Sequence, residues 1–335
     1  MGEAHAAAGT VSAVPAAAGD EPFDPRPPWS GRAGARRSSG RRKRLELILL
    51  LTPATVLFLG FVLAPIGLAA YYSFYDWNGY GALTSVGLQN YTSALTGHNF
   101  QQSVLHNLII VGLSLVIQLP LSIGLAMLLN RKLKGRAFLR LVVFAPYVLS
   151  EAITAVIWYQ LLQPSGFVDQ VLTSFGLGGQ VHDWLGSTSL VLYTLFVVIT
   201  WKYIGFGIIL LLAGLQGVPF ELREAAALDG ASSWQAGRYI VLPLLGPTIR
   251  IWIFLSVIGS LQLFDLVWIM TGGGPAEASN TMATYIYTFG IRRQQYGFAS
   301  AVAVILFMIC FAFALAYQRF VLRRDTEGAL TRVVG

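Results

Sequence analysis

Side chains that could carry out chemistry are few in this sequence, and they do not cluster. Cys310 is the only cysteine and the four histidines are not paired at ligand spacing, so the sequence gives no internal disulfide and no metal site. Three charged residues are exceptional because they interrupt long apolar runs: Glu151, Lys202 and Asp265. Charges at membrane depth are costly and usually functional. The chemistry to consider is therefore an interior ion pair or an ion relay.

The elements that hold these charges are apolar stretches long enough to cross a bilayer, which takes about 20 residues. The 335 residues are 55% hydrophobic and 12% charged, whereas a soluble domain usually carries about twice that charge. We expect transmembrane helices at 47–71, 104–129, 138–162, 188–214, 244–270 and 298–321. The predicted fold class is thus all-α, an integral membrane protein with six transmembrane helices.

Basic residues indicate the orientation of these helices. The net charge is +7, but loops 72–103 and 163–187 contain no Lys or Arg, whereas both tails and the loop at 131–136 are basic. Since cytoplasmic loops carry the excess of Lys and Arg, both termini are predicted to be cytoplasmic. Arg292 and Arg293 break the alternation between loops with and without Lys or Arg. Their position on the outer side is tolerable because the other loops together favour this orientation. The basic residues therefore serve as topology signals and do not indicate nucleic-acid binding.

The chain is expected to consist of one membrane domain with two tails. Residues 1–44 are rich in Ala, Gly, Pro, Ser and Arg, a composition that cannot bury enough apolar surface to fold. We expect a disordered basic tail there, a six-helix domain over 45–325, and a short cytoplasmic tail over 326–335. A cytoplasmic loop within the domain is expected at 215–243.

Glu151 and Lys202 are expected at the same depth in neighbouring helices. At about 1.5 Å per residue, both lie roughly 18–20 Å from the cytoplasmic ends of their helices. This placement predicts an ion pair inside the bundle, with Asp265 nearer the outer face. An alternative is that Lys202 reaches a substrate hydroxyl or a carboxylate of a partner chain.

The cytoplasmic loop at 215–243 is predicted to form a short helix with a sharp corner. Pro219 suits the first turn of a helix, and Glu224 lies early, where the helix dipole favours an acid. Good helix formers continue to Leu228. Gly230 can end the helix in the left-handed conformation. The helix is expected to lie across the cytoplasmic mouth of the bundle.

The same loop matches a family signature. Glu224-Ala225-Ala226 is followed by three residues, Gly230, nine more residues, Ile240, one residue and Leu242-Pro243. This pattern resembles the inner-membrane subunits of binding-protein-dependent ABC importers, in which the loop is the coupling helix that docks in a cleft of the cytoplasmic ATPase. The resemblance implies an ATPase-coupling role for these residues: Glu224, Ala225, Ala226, Leu228, Asp229, Gly230, Ile240, Leu242 and Pro243.

A second resemblance narrows the class to carbohydrate uptake. The segment from Leu263 to Thr271-Gly272-Gly273-Gly274-Pro275 looks like the outer end of helix five in permeases of the maltose and glycerol-phosphate type. Aromatic faces stack on sugar rings and hydroxyls bond to sugar hydroxyls, although the same residue types also serve ordinary helix packing. The resemblance implies the following substrate-path residues: Tyr203, Phe206, Ser256, Gly259, Ser260 and Leu263. Several of these positions depart from the maltose case, which argues against maltose itself.

The resemblance, which covers about 45–325, implies a type I importer permease in the plasma membrane of a bacterium. Its expected partners are a second permease, two copies of a cytoplasmic ATPase, an extracytoplasmic sugar-binding protein and membrane lipid. The chain lacks Gly-x-x-x-x-Gly-Lys-Ser/Thr, so we expect a non-catalytic transport subunit without a cofactor. The alternative is a secondary transporter driven by an ion gradient, with Glu151, Lys202 and Asp265 as the relay. A membrane-embedded enzyme would need a His, Asp or Cys cluster, which the sequence does not offer.

Overall fold

The computed structural model describes residues 39–131 and 134–322, and these residues are mostly helical. The chain divides into two compact units after Phe61. Helix α1 (Ser39–Phe58) belongs to the first unit and begins inside the segment expected to be a tail. Its side chains from Leu45 onwards are exposed, as expected of an apolar helix that faces lipid. The rest of that tail, and the tail expected at 326–335, lie outside the described residues.

The second unit contains the other helices and one small hairpin. Its principal helices are α2 (Ala64–Tyr72), α4 (His98–Leu113), α5 (Leu119–Leu129), α6 (Arg136–Val148), α7 (Glu151–Leu161), α9 (Val191–Gln216), α13 (Gly246–Leu261) and α16 (Tyr296–Tyr317). Shorter helices are α3 (Gln89–Thr96), α8 (Phe167–Ser174), α10 (Phe220–Leu228), α11 (Ser233–Ala236), α12 (Leu242–Leu244), α14 (Asp265–Thr271) and α15 (Met282–Tyr287). The hairpin pairs β1 (Tyr75–Asp76) with β2 (Thr84–Ser85) in antiparallel register.

Four continuous helical segments among the described residues are long and apolar enough to cross a membrane. They are Leu45–Tyr72, His98–Leu129, Val191–Gln216 and Tyr296–Leu322. Two further segments qualify only as bent pairs, α6 with α7 and Ser233–Leu244 with α13. By length and composition the described residues therefore hold four spans, or up to six if each bent pair counts as one.

The third apolar stretch, expected as one helix over 138–162, is broken in the middle. Helices α6 and α7 meet at 100°. Leu149 is extended, with ψ of 143°, and the Ser150 hydroxyl accepts a hydrogen bond from the Ile153 amide at 3.2 Å. Serine is a favoured N-cap because its side chain satisfies an amide that has no partner within the helix. A new helix therefore begins at Glu151.

The fifth stretch, expected as one helix over 244–270, is broken as well. It bends by 67° where α13 begins, and α13 ends at Leu261, before α14 starts at Asp265. Side chains bond to the carbonyls at this second break: Asn107 donates to Ser260 O at 2.7 Å, and Thr281 Oγ1 donates to Leu263 O at 2.8 Å. Buried carbonyls need such partners where helical bonds end.

Helix α9 is packed on several sides. It contacts α5, α6 and α13, and Leu195, Ile208 and Leu211 on it are completely buried. A small residue permits its close approach to α6, because a Cβ added to Gly205 would lie 2.5 Å from the carbonyl oxygen of Val143. The position of α9 against α6 therefore depends on glycine at this point.

Candidate functional site

The loop that follows α9 folds as the sequence predicts. Helix α10 carries Glu224, and Gly230 just beyond its end has φ of 80°. The amide of Ala231 donates to the carbonyl of Ala226 at 2.9 Å, and the amide of Gly230 donates to Ala227 at 3.1 Å. A left-handed residue allows this closure at a helix end. The predicted short helix with a corner at Gly230 is confirmed.

Apolar side chains of this loop are exposed. Leu228 is 89% exposed, Trp234 72% and Tyr239 71%, whereas Ala226 is buried. Other residues of the signature share the exposed side of the loop: Glu224, Ala225 and Asp229. Large apolar side chains exposed within one short loop favour a surface that contacts another protein.

The second half of the signature leads the chain back to α13. A capping box starts α11: the Gln235 amide donates to the Ser232 hydroxyl at 3.3 Å, and the Ser232 amide donates to the Gln235 side chain at 2.7 Å. Ile240 lies in a π-helical stretch, and Leu242 and Pro243 begin α12. A proline is tolerated in a first helical turn because its missing amide would have no partner there.

A cleft of about 750 Å³ borders α10. Glu224 lines it together with Arg131, Arg136 and Arg223. Arg131 and Arg136 come from the loop between α5 and α6, so the cleft joins the two loops that the sequence predicts to be cytoplasmic. The signature glutamate therefore lies in a basic setting within the chain itself.

A second cavity, of about 330 Å³, lies among the helices and is called the central cavity here. All six residues that the sequence singled out for a substrate path line it: Tyr203, Phe206, Ser256, Gly259, Ser260 and Leu263. A Cβ added to Gly259 would meet nothing within 4 Å, so this glycine leaves open space. The volume falls in the range usual for small-molecule sites. Helices α9 and α13 thus place their predicted residues around one space.

Two of the three predicted intramembrane charges also line the central cavity, namely Glu151 and Asp265. Each lies in the first turn of a helix that starts at a break, Glu151 in α7 and Asp265 in α14. Helices α7 and α14 contact each other. The amides and dipole at a helix start favour a negative charge. The breaks therefore explain how carboxylates are accommodated among apolar helices.

The ion pair predicted between Glu151 and Lys202 does not form in the described part of the chain. The Lys202 ammonium donates instead to the carbonyl of Leu149 at 2.6 Å, and the Tyr203 hydroxyl donates to Glu151. The prediction assumed a continuous third helix, whose carbonyls would all be bonded internally. The break leaves the Leu149 carbonyl free to accept from the lysine.

Aromatic rings form a row along the central cavity. Tyr147 stacks on Phe206 with centroids 5.1 Å apart, and Phe206 contacts Trp252 at 5.5 Å. Tyr147 also meets Tyr203 edge-on at 6.4 Å. All four residues line the cavity. Such rings can offer apolar faces to a sugar while the Tyr147 hydroxyl remains available for a hydrogen bond.

Sequence reasoning did not assign several polar residues of the central cavity, among them Ser114, Gln118 and Trp252. The Ser114 hydroxyl, the Gln118 side-chain amide nitrogen and the Trp252 indole nitrogen are buried and have no hydrogen-bond partner in the described structure. Buried polar groups are normally paired. A glutamine inside an apolar run was the available signal for Gln118. The three side chains line the cavity, but these three atoms are themselves buried beneath its surface.

A buried hydrogen-bond network surrounds the break between α13 and α14 that borders the cavity. Asn107 donates to Ser260 O and accepts from the Met282 amide at 2.9 Å, while His106 Nδ1 lies 2.8 Å from Asn280 O. Both side chains belong to α4. The network ties α4 to the break after α13 and to the start of α15, and so fixes the residues on either side of that break.

Comparison with known proteins assigns this fold to a transport family. The chain belongs to the family of binding-protein-dependent transport system inner membrane components, whose family model matches residues 118–325. It is therefore a multi-pass membrane protein of a transport system.

Individual relatives lie within this family. The chain is 32% identical to the trehalose/maltose transport system permease protein of Thermococcus litoralis, over 70% of this chain and 79% of the relative. It is also 32% identical to the multiple sugar-binding transport system permease protein of Streptococcus mutans, over 73% of this chain and 84% of the relative. A bacterial ABC transporter involved in the import of the acidic polysaccharide alginate shares the fold with a TM-score of 0.71 and 27% identity. The match covers 84% of this chain and 97% of the chain in that structure.

Proposed function

We propose that the chain is the permease subunit of an ATP-driven importer of mono- or oligosaccharides. The observation that carries this proposal is the exposed helix α10, which bears the family signature and lies one short turn beyond a helix that lines the central cavity. The two relatives with sugar transport in their names support the substrate class. The row of aromatic rings and the polar side chains that line the cavity suit a sugar.

The proposed mechanism passes movement from α10 to the cavity. Helix α10 follows α9 after a short connection and leads through α11 and α12 into α13. Both α9 and α13 carry cavity residues, among them Tyr203 and Ser256. A partner that pulls on α10 would therefore move two walls of the cavity together. This is how closure of an ATPase dimer would be converted into rocking of the helices.

The proposed assembly contains two different permeases, two copies of a cytoplasmic ATPase and an extracytoplasmic sugar-binding protein. Exposed Leu228 and Trp234 give the ATPase an apolar surface to bind. Glu224 would pair with a basic group of the ATPase. Nothing in the family match or in the contacts of the described charges favours the ion-gradient alternative.

The proposed topology has six spans with both termini in the cytoplasm, each bent pair forming one span. The positive-inside distribution supports it. A reporter that works only in the cytoplasm should be active after Arg136 and after Gly335, and inactive after Asn99 and after Gly178. Activity after Asn99 would overturn the six-span topology.

Co-purification in mild detergent, followed by reconstitution, tests the function. The chain should retain a second permease and an ATPase, and the proteoliposomes should take up labelled sugar from a panel that includes trehalose and maltooligosaccharides, given the binding protein and internal ATP. The Glu224→Lys variant should insert normally and lose uptake. Uptake that persists without the ATPase and collapses with an ionophore would support the ion-gradient alternative instead.

A further inference from the structure

We propose that the central cavity admits neutral and cationic sugars and rejects anionic ones such as uronic acids. This inference rests on the proposed function, because it names the class of sugar that the same site takes. The inference follows from the charge of the side chains that form the wall of the cavity. Glu151 and Asp265 line the cavity, and no lysine, arginine or histidine of the described residues does.

Neither carboxylate is neutralised by a direct cationic partner in the described structure. Glu151 accepts a hydrogen bond from the uncharged Tyr203 hydroxyl, and Asp265 is exposed. The nearest intramembrane cation, Lys202, is only 3% exposed and its ammonium donates to the Leu149 carbonyl. Its charge offsets part of the field but lies outside the wall, so a guest meets two carboxylates and no cation.

The helix breaks set the backbone positions of the two carboxylates. Each residue is in the first turn of its helix. Asn107 and Thr281 bond to the carbonyls just before Asp265, so that break is braced by side chains.

The effect expected of the two carboxylates on a charged sugar follows from Coulomb's law. A carboxylate on the guest would be brought close to two like charges, and unpaired like charges are an effective way to reject a wrong partner. Sugar hydroxyls or an ammonium group can instead donate to Glu151 and Asp265. The alginate transporter, which imports an acidic polysaccharide, shares this fold, so the fold alone does not set the charge of the substrate.

Charged thiol reagents measure this field without requiring knowledge of the sugar. Cys310 is the only cysteine and is buried, so a Cys310→Ser background allows single cysteines at Ser256→Cys or Gly259→Cys in the cavity. The exposed Thr92→Cys on α3 is the matched control. The purified complex with its partner permease and ATPase is treated with a cationic trimethylammonium-ethyl or an anionic sulfonatoethyl methanethiosulfonate, and the two rates are compared.

The cation-to-anion rate ratio in the cavity, divided by the ratio at Thr92→Cys, should be on the order of tenfold. Adding Glu151→Gln and Asp265→Asn should bring it close to one, whereas Asp76→Asn in the exposed hairpin should leave it unchanged. A ratio near one in the parent overturns the proposal. So does a lack of reaction at both cavity positions, because the cavity would then be closed to charged solutes of either sign.

Protection by sugars then separates the charge proposal from the proposed function. Glucose and glucosamine at high concentration should slow modification of Gly259→Cys by an uncharged maleimide, and glucuronate should not. Equal protection by all three sugars overturns the selection. Protection by none, combined with a high rate ratio, overturns the sugar assignment and leaves the acidic cavity supported by the rate ratio.

Discussion

The loop from α10 to α12 and the central cavity both depart from the usual pattern of burial, in opposite ways. In the loop, apolar side chains are exposed, most of all Leu228. In the cavity, polar atoms are buried without partners, as in Gln118 and Trp252. Each departure is costly in the isolated chain. The exposed apolar side chains support the proposed protein partner of the loop, whereas the polar side chains around the cavity support the proposed polar solute.

The two regions also differ in how they are built. The loop is a continuous stretch of sequence whose shape depends on local turn chemistry at Gly230. The cavity is assembled from residues far apart in sequence, such as Ser114 and Asp265, and its walls depend on breaks in two helices. Substitutions in the loop should therefore affect coupling, whereas substitutions around the cavity should separate into effects on folding and effects on the sugar.

The largest effect is expected at the corner of the loop. Gly230→Pro cannot adopt φ of 80° and loses the amide bond to Ala227. An incompatible proline costs about 3 kcal/mol or more, so uptake should fall on the order of 100-fold while the amount of protein in the membrane stays normal. Uptake by proteoliposomes and quantitative immunoblotting check the two parts.

Gly230→Asn is the matched control for this position. Asparagine tolerates the left-handed conformation better than other side chains, so most uptake should remain. Equal loss in the Asn and Pro variants would show that a side chain at this point obstructs the ATPase, and that backbone geometry is not the cause.

Substitutions at two glycines compare a position in the packed interior with a position that lines the central cavity. Gly205→Ala would place a Cβ 2.5 Å from the Val143 carbonyl oxygen, whereas the same change at Gly259 meets open space. Overpacking costs about 1–3 kcal/mol, so Gly205→Ala should lower the melting temperature of the purified complex and Gly259→Ala should not. A Gly259→Leu variant should retain its stability and lose uptake. A destabilised Gly259→Ala variant would contradict the assigned position of the cavity.

Substitutions of two buried amide side chains, Asn107 and Gln118, provide a third pair of variants to compare. Asn107→Leu leaves the Met282 amide and the Ser260 carbonyl without their partner, which costs about 1–3 kcal/mol for each unpaired group. Gln118→Leu removes an amide that has no partner, so stability should stay the same or rise. In the same variant the apparent KM for sugar should increase. If Gln118→Leu destabilises the complex as much as Asn107→Leu, Gln118 has a structural role.

Sequence reasoning located the residues of both regions, but it described the path of the backbone in only one of them. The corner at Gly230 was predictable because glycine and its neighbours fix it locally. The six substrate-path positions do line one cavity, although their role in transport remains a prediction. The helix breaks were missed because hydropathy does not change across them. Ser150 ahead of Glu151 was a readable N-cap signal.

The ion pair predicted for Lys202 was wrong for the same reason, the break in the third apolar stretch. Equal depth was a reasonable basis for an ion pair if both helices were continuous. A break supplies unpaired carbonyls and a helix start, and these give the two charges separate partners. Contacts that depend on the exact end of a helix are therefore the ones that a sequence alone describes least well.

The smallest expected effect, and the finest test of the central cavity, is the pairing of Glu151. In a double-mutant cycle, Tyr203→Phe and Glu151→Gln should couple by about 1 kcal/mol or more, because the tyrosine hydroxyl donates directly to the carboxylate. Lys202→Met and Glu151→Gln should couple by less, since the ammonium bonds to Leu149 and acts on Glu151 only through space. The measured quantity is uptake at low sugar concentration, corrected for the amount of each protein. A larger coupling for the lysine than for the tyrosine would restore the direct ion pair, and the charge selection proposed for the cavity would then lose one of its two carboxylates.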